Sequence, residues 1–485
     1  MELATPIKTF AKLSRPVLGA GFAVLLSGCA SYQDNTKGLR EAWSAGNVPQ
    51  AAQIATTKAK NDQGGKDALL WQLEAGAATR AASQWTDSIS AFSTAEDLFQ
   101  YWDAQPDVSI TGQVGATMVN PTVLAYRGRA YDKTMAASYQ ALNYMETGRF
   151  DEARVELNRA YQYQKDAVDA NAAHITAAQN DAAKASAASH SDPSQNYDVD
   201  RAQSDPQFKS NLNQSYGDLD SLKFYGPYVN PFSSYLEGLF FLARGQTNSD
   251  FERARVVLKK VQDMIGHNPD IDADCALADQ LAGGGTVPPL TYVIFETGMG
   301  PERHEVRIDI PLFIVSRSVP YVGIAFPQLS YNSQFSPGLT ARVANADPVH
   351  TTLLCNMDLV VAQDFKNELP SIIIHTLISA GAKAAAQYGL YAATKNSGDW
   401  AIVAEIAGVV YQAATNQADL RTWVTLPKQF TYCRFPTPPD RKLLLTADGG
   451  GQSETVDLAP GVVNVVYVKS NSYSNRLLVT SFVLR

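Results

Sequence analysis

The sequence predicts an α+β protein: an N-terminal α-solenoid followed by a C-terminal antiparallel β-rich module with an inserted apolar helical hairpin. Three observations predict it. Apolar residues recur at three- and four-residue spacing from about residue 30 to 280, in units that repeat. Past Gly283-Gly284-Gly285 and Pro288-Pro289 the period becomes two and β-branched residues take over. Residues 370–416 then return to helix and are strongly apolar.

The chain opens on a positive stretch, Lys8, Lys12 and Arg15, followed by the apolar run Pro16–Ser27. That run is too short to cross a hydrocarbon core about 30 Å thick. It ends in Leu26-Ser27-Gly28-Cys29, which resembles the bacterial lipobox. The resemblance implies that residues 1–28 are a lipoprotein signal peptide and that Cys29 becomes the acylated N-terminus. Several acyl chains, each buried CH₂ contributing about 0.8 kcal/mol, would anchor the body durably. Ala30 and Ser31 follow the cysteine where an inner-membrane retention signal would carry Asp. The expected address is therefore the outer membrane, with the body facing the periplasm.

The 485 residues carry 40 Lys and Arg against 48 Asp and Glu, a net charge of −8. Length alone suggests about three domains and ample core. Loss of the first 28 residues, with three cations and one anion, leaves −10. Nucleic acid is not an expected partner, because phosphate backbones need a basic face.

From 29 to 280 the expectation is helical repeats. The clearest unit runs Tyr139 to Ala160, with Gly148 turning between two helices, Phe150 closing the turn and Ala153 small enough for close approach. A second runs Tyr235 to Val261, with Gly238, Gly245 and Ala254 in matching roles. Weaker units lie around Gly76–Ala95 and Gly46–Ala51. These units resemble tetratricopeptide (TPR-like) repeats, whose stacked pairs expose a concave groove that binds protein segments. Residues 103–122 read as a crossing loop. Residues 183–216, rich in Ala, Ser, Asp, Asn and Gln, read as a mobile insertion whose aromatics Tyr197, Phe208 and Tyr216 dock on the solenoid or on a partner.

The C-terminal module is expected over 286–485. Thr291–Glu296, Glu305–Ile310, Val322–Phe326 and Ala341–Ala344 read as strands, as do four segments after Lys442. The helices within 370–416 are interrupted by Lys383, Lys395 and Glu405, so a buried hairpin on the sheet is expected rather than a membrane hairpin. A peripheral contact with lipid or a partner is compatible with either. Of Cys275, Cys355 and Cys433, the last two are the pair expected if a disulfide forms, and buried free thiols are an equal expectation.

Together with the lipobox, Ala141–Tyr144, Glu152–Glu156, Asn230–Phe232, Leu236–Gly238, Phe295–Pro301, Asp419–Trp423 and Leu426-Pro427 resemble a largely uncharacterised family of bacterial outer-membrane lipoproteins with tetratricopeptide-like repeats. The resemblance implies no catalytic residue and only the lipidated Cys29 as a site. By analogy of export and neighbourhood it associates the chain with peptidoglycan-synthesis machinery.

No metal or cofactor is expected. The six histidines show no ligand spacing, and no nucleophile elbow, phosphate loop or dinucleotide fingerprint occurs. His375, in an apolar helix, reads as a core histidine and His304 as a solvated one. Carboxylate pairs such as Glu302 with Glu305 or Asp358 with Asp364 could cleave a glycan, but any chain of this length offers such pairs. The expectation is a lipid-anchored periplasmic scaffold, not an enzyme; the alternative is a cell-wall hydrolase or transferase sited in the C-terminal module.

Overall fold

The computed structural model describes residues 32–105, 122, 124–191, 199–311, 321–344, 346–394, 417–449 and 451–485. Among these described residues eleven α-helices come first: α1 (Tyr32–Ser44), α2 (Val48–Asn61), α3 (Ala68–Ala81), α4 (Trp85–Asp103), α5 (Ala130–Glu146), α6 (Phe150–Ser191), α7 (Val199–Ser204), α8 (Pro206–Tyr216), α9 (Pro231–Arg244), α10 (Asn248–Ile265) and α11 (Pro269–Ala282). Their starts are encoded locally. Asn47, Asn230 and Asn268 each cap a first turn with the side-chain oxygen, and each stands one or two residues before a proline. Thr247 and Asp250 form a reciprocal capping box on α10.

The four repeat units are helical hairpins, α1–α2, α3–α4, α5–α6 and α9–α10. Three of them turn in the same way. Gly46, Ser83 and Gly148 sit at positive φ of 74°, 58° and 71°. Each donates its N–H three residues back, to Trp43, Arg80 and Met145, and the next residue donates five back, to Ala42, Thr79 and Tyr144. This paired bond pattern is the Schellman cap. Gly238 brings α9 against α10 so closely that a Cβ there would lie 2.7 Å from Leu258, and Gly76 does the same toward Phe92. Gly245 keeps an ordinary φ of −52°; what disfavours a side chain there is the Phe241 carbonyl oxygen, 2.6 Å from a Cβ, together with the Phe251 ring at 2.7 Å.

Strands β1 (Leu290–Thr297), β6 (Thr352–Asn356), β7 (Gln429–Pro436), β10 (Val463–Ser470) and β11 (Leu478–Val483) form a five-stranded sheet in the order β11-β10-β1-β7-β6. The β1–β10 pair is parallel, so the expected all-antiparallel module is corrected to a mixed sheet. Every residue of β1 and β10 is buried, as a strand covered on both faces requires. One face packs on the helices. The other packs on a four-stranded antiparallel sheet, β5 (Val349–His350), β4 (Leu339–Arg342), β8 (Lys442–Ala447) and β9 (Ser453–Asp457), through Val293, Phe295, Val466 and Val468.

The remaining hairpin, β2 (Glu302–Pro311) with β3 (Tyr321–Ser330), carries its own core with α8 and α12 (Met357–Thr394). Here the expected mobile insertion over 183–216 is corrected for its described part. Phe208 and Tyr216 are buried against Phe326 and Phe365, and the Tyr216 hydroxyl donates to the Pro327 carbonyl at 2.8 Å. These two aromatics therefore dock on the β2–β3 hairpin and α12, in a core that also takes Ala178 and Ala182 of α6; Tyr197 lies outside the described residues. The apolar helix begins at Met357, thirteen residues earlier than expected, and continues through Pro370. It packs chiefly on α6, with smaller contacts to α5, α7 and β3, and its first turn also meets β7 and joins the core of the main sheet through Met357, Val360 and Val361. The second expected helix, over 400–411, lies outside the described residues, as does most of the 103–122 loop. No helix among the described residues is long and apolar enough to cross a membrane.

Candidate functional site

The concave side of the helical array is where a repeat protein would take a ligand. In this chain the inward faces of those helices pack on the chain's own sheet. The stacking helices α3, α5 and α9 have their inner side chains in one core with Tyr292, Phe430, Tyr432, Tyr467 and Trp423. Thirteen of the fourteen residues of α9 are buried. Phe232 stacks on Phe430 with centroids 3.6 Å apart, and Tyr139 meets Trp423 edge-on at 5.9 Å. The groove expected as the binding surface is thereby corrected to an internal interface, and the helical and β-rich parts share one core.

Polar side chains stitch the two parts. Glu74, wholly buried on α3, accepts from the Val424 and Thr425 amides, the Thr425 hydroxyl and the Tyr32 hydroxyl. Burial pushes its carboxyl up to about 7, against the pull of those hydrogen bonds. Glu296 on β1 accepts from Tyr139 at 3.0 Å and from Tyr467 and Lys469. Beside it lies a pocket of about 30 Å³, lined by Arg80, Trp85 and Leu478 among others, a space on the scale of a few water molecules. Asp274 accepts from Tyr235, Tyr292 and Arg434, and burial raises its carboxyl to about 6.

A third cluster gathers where α5, α12, β2 and the 419–421 segment meet. Arg303, only 2% exposed, donates to Glu368 Oε2 at 2.6 Å, and Arg129 reaches the same oxygen at 3.4 Å. Arg421 joins Asp419 to Asp67. Burial drives the Glu368 carboxyl up, but the two arginines outweigh it and hold the group below its ordinary value. One turn earlier on α12, Asp364 has no such pairing: burial first and the Glu368 charge second push it up to about 7. Tyr228, at φ 57°, lies beside Asp364. Sequence reasoning missed this cluster because its members come from four distant segments; the polar run Gln363–Glu368 was the available signal.

Of the expected repeat positions, Ala153 and Ala254 are fully buried, and Phe150 is half-buried beneath the Arg244 guanidinium, 4.1 Å from its ring centre. Cys29 lies outside the described residues. Cys355 and Cys433 are both free. Of the two expectations, the buried free thiols hold and the pairing does not, because the two residues occupy opposite faces of the same sheet, Cys355 toward the helices and Cys433 toward the four-stranded sheet. His304 is exposed, as expected. Thr340 binds both His350 Nδ1 and Asp448 at 3.0 Å, so neither partner orients the other as a catalytic triad would. Among the described residues no group of His, Cys, Asp and Glu has the arrangement of a metal site.

Comparison with family models and with curated proteins gave no match. A solved structure of a tetratricopeptide repeat protein from Parabacteroides merdae aligns with 51% of this chain and 98% of its own, at 12% identity and a TM-score of 0.14.

Proposed function

We propose that the chain is a lipid-anchored scaffold of the bacterial envelope, held on the periplasmic face of the outer membrane through Cys29, binding a protein of the peptidoglycan-synthesis machinery. The observation that carries the anchor is the lipobox at Leu26–Cys29, directly before the folded body. With the inward helix faces packed on the sheet, the binding surface falls on the outward-facing helices. Their exposed apolar side chains support this: Tyr101 on α4, Val155, Tyr161 and Val168 on α6, and Val256 on α10. The test is in-cell crosslinking of the tagged lipoprotein with mass spectrometry of what is captured. A reproducible envelope protein, lost in a Tyr161→Asp, Val168→Asp variant that still folds, supports the scaffold. A capture list unchanged by that variant removes the outer-helix surface.

A second reading, a cell-wall hydrolase or transferase, has one observation in its favour. Asp364 and Glu368 stand one helical turn apart with carboxyls shifted in opposite directions, the split that acid–base catalysis uses. Degradation of purified cell wall by the wild type, lost in both Asp364→Asn and Glu368→Gln, would favour it over the scaffold.

A further inference from the structure

We infer that the α1 end of the helical array lies directly on the lipid surface, with no tether between anchor and body. The inference rests on lipidation of Cys29 and adds to it the face that meets the bilayer.

Only Ala30 and Ser31 separate Cys29 from Tyr32. Three residue steps reach at most about 11 Å, even fully extended. The far end of that span is fixed. Tyr32 is 7% exposed, its hydroxyl donates to Glu74, and its ring lies 5.7 Å from that of Trp71. Gln33 donates to the Arg303 carbonyl at 2.8 Å, and Arg40 pairs with Glu302 at 3.3 Å. The first turn of α1 is thus part of the core and cannot peel away to lengthen the leash without breaking those contacts. A flexible linker, by contrast, would let the body tumble at a distance set by linker length.

The charge at this end permits contact. Helix α2 runs back along α1, and Lys58 near its end lies 3.4 Å from Asn35 near the start of α1. That brings together Lys37, Arg40, Lys58, Lys60 and Lys66 against Asp34, Glu41, Asp62, Asp67 and Glu302, an even balance. In a chain of net charge −8, the end beside the anchor carries no excess of negative charge to repel anionic headgroups. Helix α10, which stacks between α9 and α11 late in the array and makes no main contact with α1 or α2, is then held away from the bilayer, which leaves Val256 open to a partner.

The test uses the full-length acylated protein in vesicles of phosphatidylethanolamine and phosphatidylglycerol containing lipid with a spin-labelled headgroup. A fluorophore is placed at Lys37→Cys, at Lys60→Cys or at Val256→Cys, all exposed positions, in a Cys275→Ser background. Cys355 and Cys433 are buried and do not label. Quenching is expected to be several-fold stronger at 37 and 60 than at 256. A Gly/Ser insert of about ten residues before Tyr32, spanning roughly 17 Å, is expected to erase the difference. Equal quenching at all three positions in acylated protein, or a difference that survives the insert, overturns the docking face alone. Absence of acyl mass on the Cys29 peptide overturns the anchor and the docking face with it.

Discussion

The ring of Phe232 on α9 lies parallel to that of Phe430 on β7, 3.6 Å away and tilted by 1°. The two residues stand on opposite sides of the glycine-rich segment that divides helical from strand periodicity. Their contact lies within one continuous core, in which the β-rich part packs on the inward faces of the helices. A chain built this way behaves as one folding unit across that interface.

The Phe232→Ala substitution is therefore expected to cost about 3–5 kcal/mol, the usual range for a fully buried aromatic. Its effect should be seen on both sides of the contact. Hydrogen exchange should accelerate in α9 and in β7 together. Acceleration of α9 with β7 unchanged would mean that the two parts unfold independently.

Ser83 occupies the turn position that Gly46 and Gly148 hold in the other hairpins, with the same hydrogen bonds and a φ of 58°. A left-handed residue with a Cβ is disfavoured by about 1–2 kcal/mol, of which glycine's extra freedom in the unfolded chain gives back about 0.5–1. Ser83→Gly should stabilise the protein by about 0.5–1 kcal/mol, and Gly148→Ala should destabilise it by about 1 kcal/mol. Urea midpoints of the two variants moving in the same direction would contradict the shared geometry.

How much of this was legible follows from how far apart the interacting residues lie. The hairpins were readable because Gly148, Phe150 and Ala153 act within one turn of sequence. Closure of the groove was not, because Tyr139 finds Glu296 157 residues away and Glu74 finds Val424 350 away, and periodicity carries no pairing information. The direction of β1 against β10 has no local signal either, since the strands are separated by most of the C-terminal half. Helix α8 was hidden by its Asn, Gln and Ser, although two aromatics suffice to bury one face. The first turns of α12 were hidden for the opposite reason: Asp364 and Glu368 point into a buried charge cluster, so a polar run sits inside the structure.

The sheet also decides the thiol chemistry. Cys355 and Cys433 project from opposite faces, and Cys275 is half-buried on α11. Burial pushes Cys275 up to about 11 and Cys355 up to about 12, so neither is a ready thiolate at neutral pH. Protein recovered from an oxidising compartment should titrate all three thiols after denaturation without reductant, and Cys275 should react first in the native state. An intact mass two hydrogens short would contradict this.

The buried carboxyls set the pH dependence of stability. Asp364 is held at about 7 by burial and by Glu368, against an ordinary value of 3.8. Between those limits the folded protein keeps a proton that the unfolded chain has released, so its contribution to stability is complete below about 4 and declines as pH rises toward 7. Glu74 at about 7 and Asp274 at about 6 act in the same direction. Each such group lowers stability by up to about 1.4 kcal/mol per pH unit across its window. Asp364→Asn keeps the shape and removes the ionisation. It should leave the urea midpoint little changed at pH 4 and raise it at pH 8, flattening the decline without abolishing it, since Glu74 and Asp274 remain. A variant that lost stability at pH 8 would mean that ionised Asp364 is held by Arg129 and Arg303, and that its carboxylate, not its acid form, belongs to the folded state.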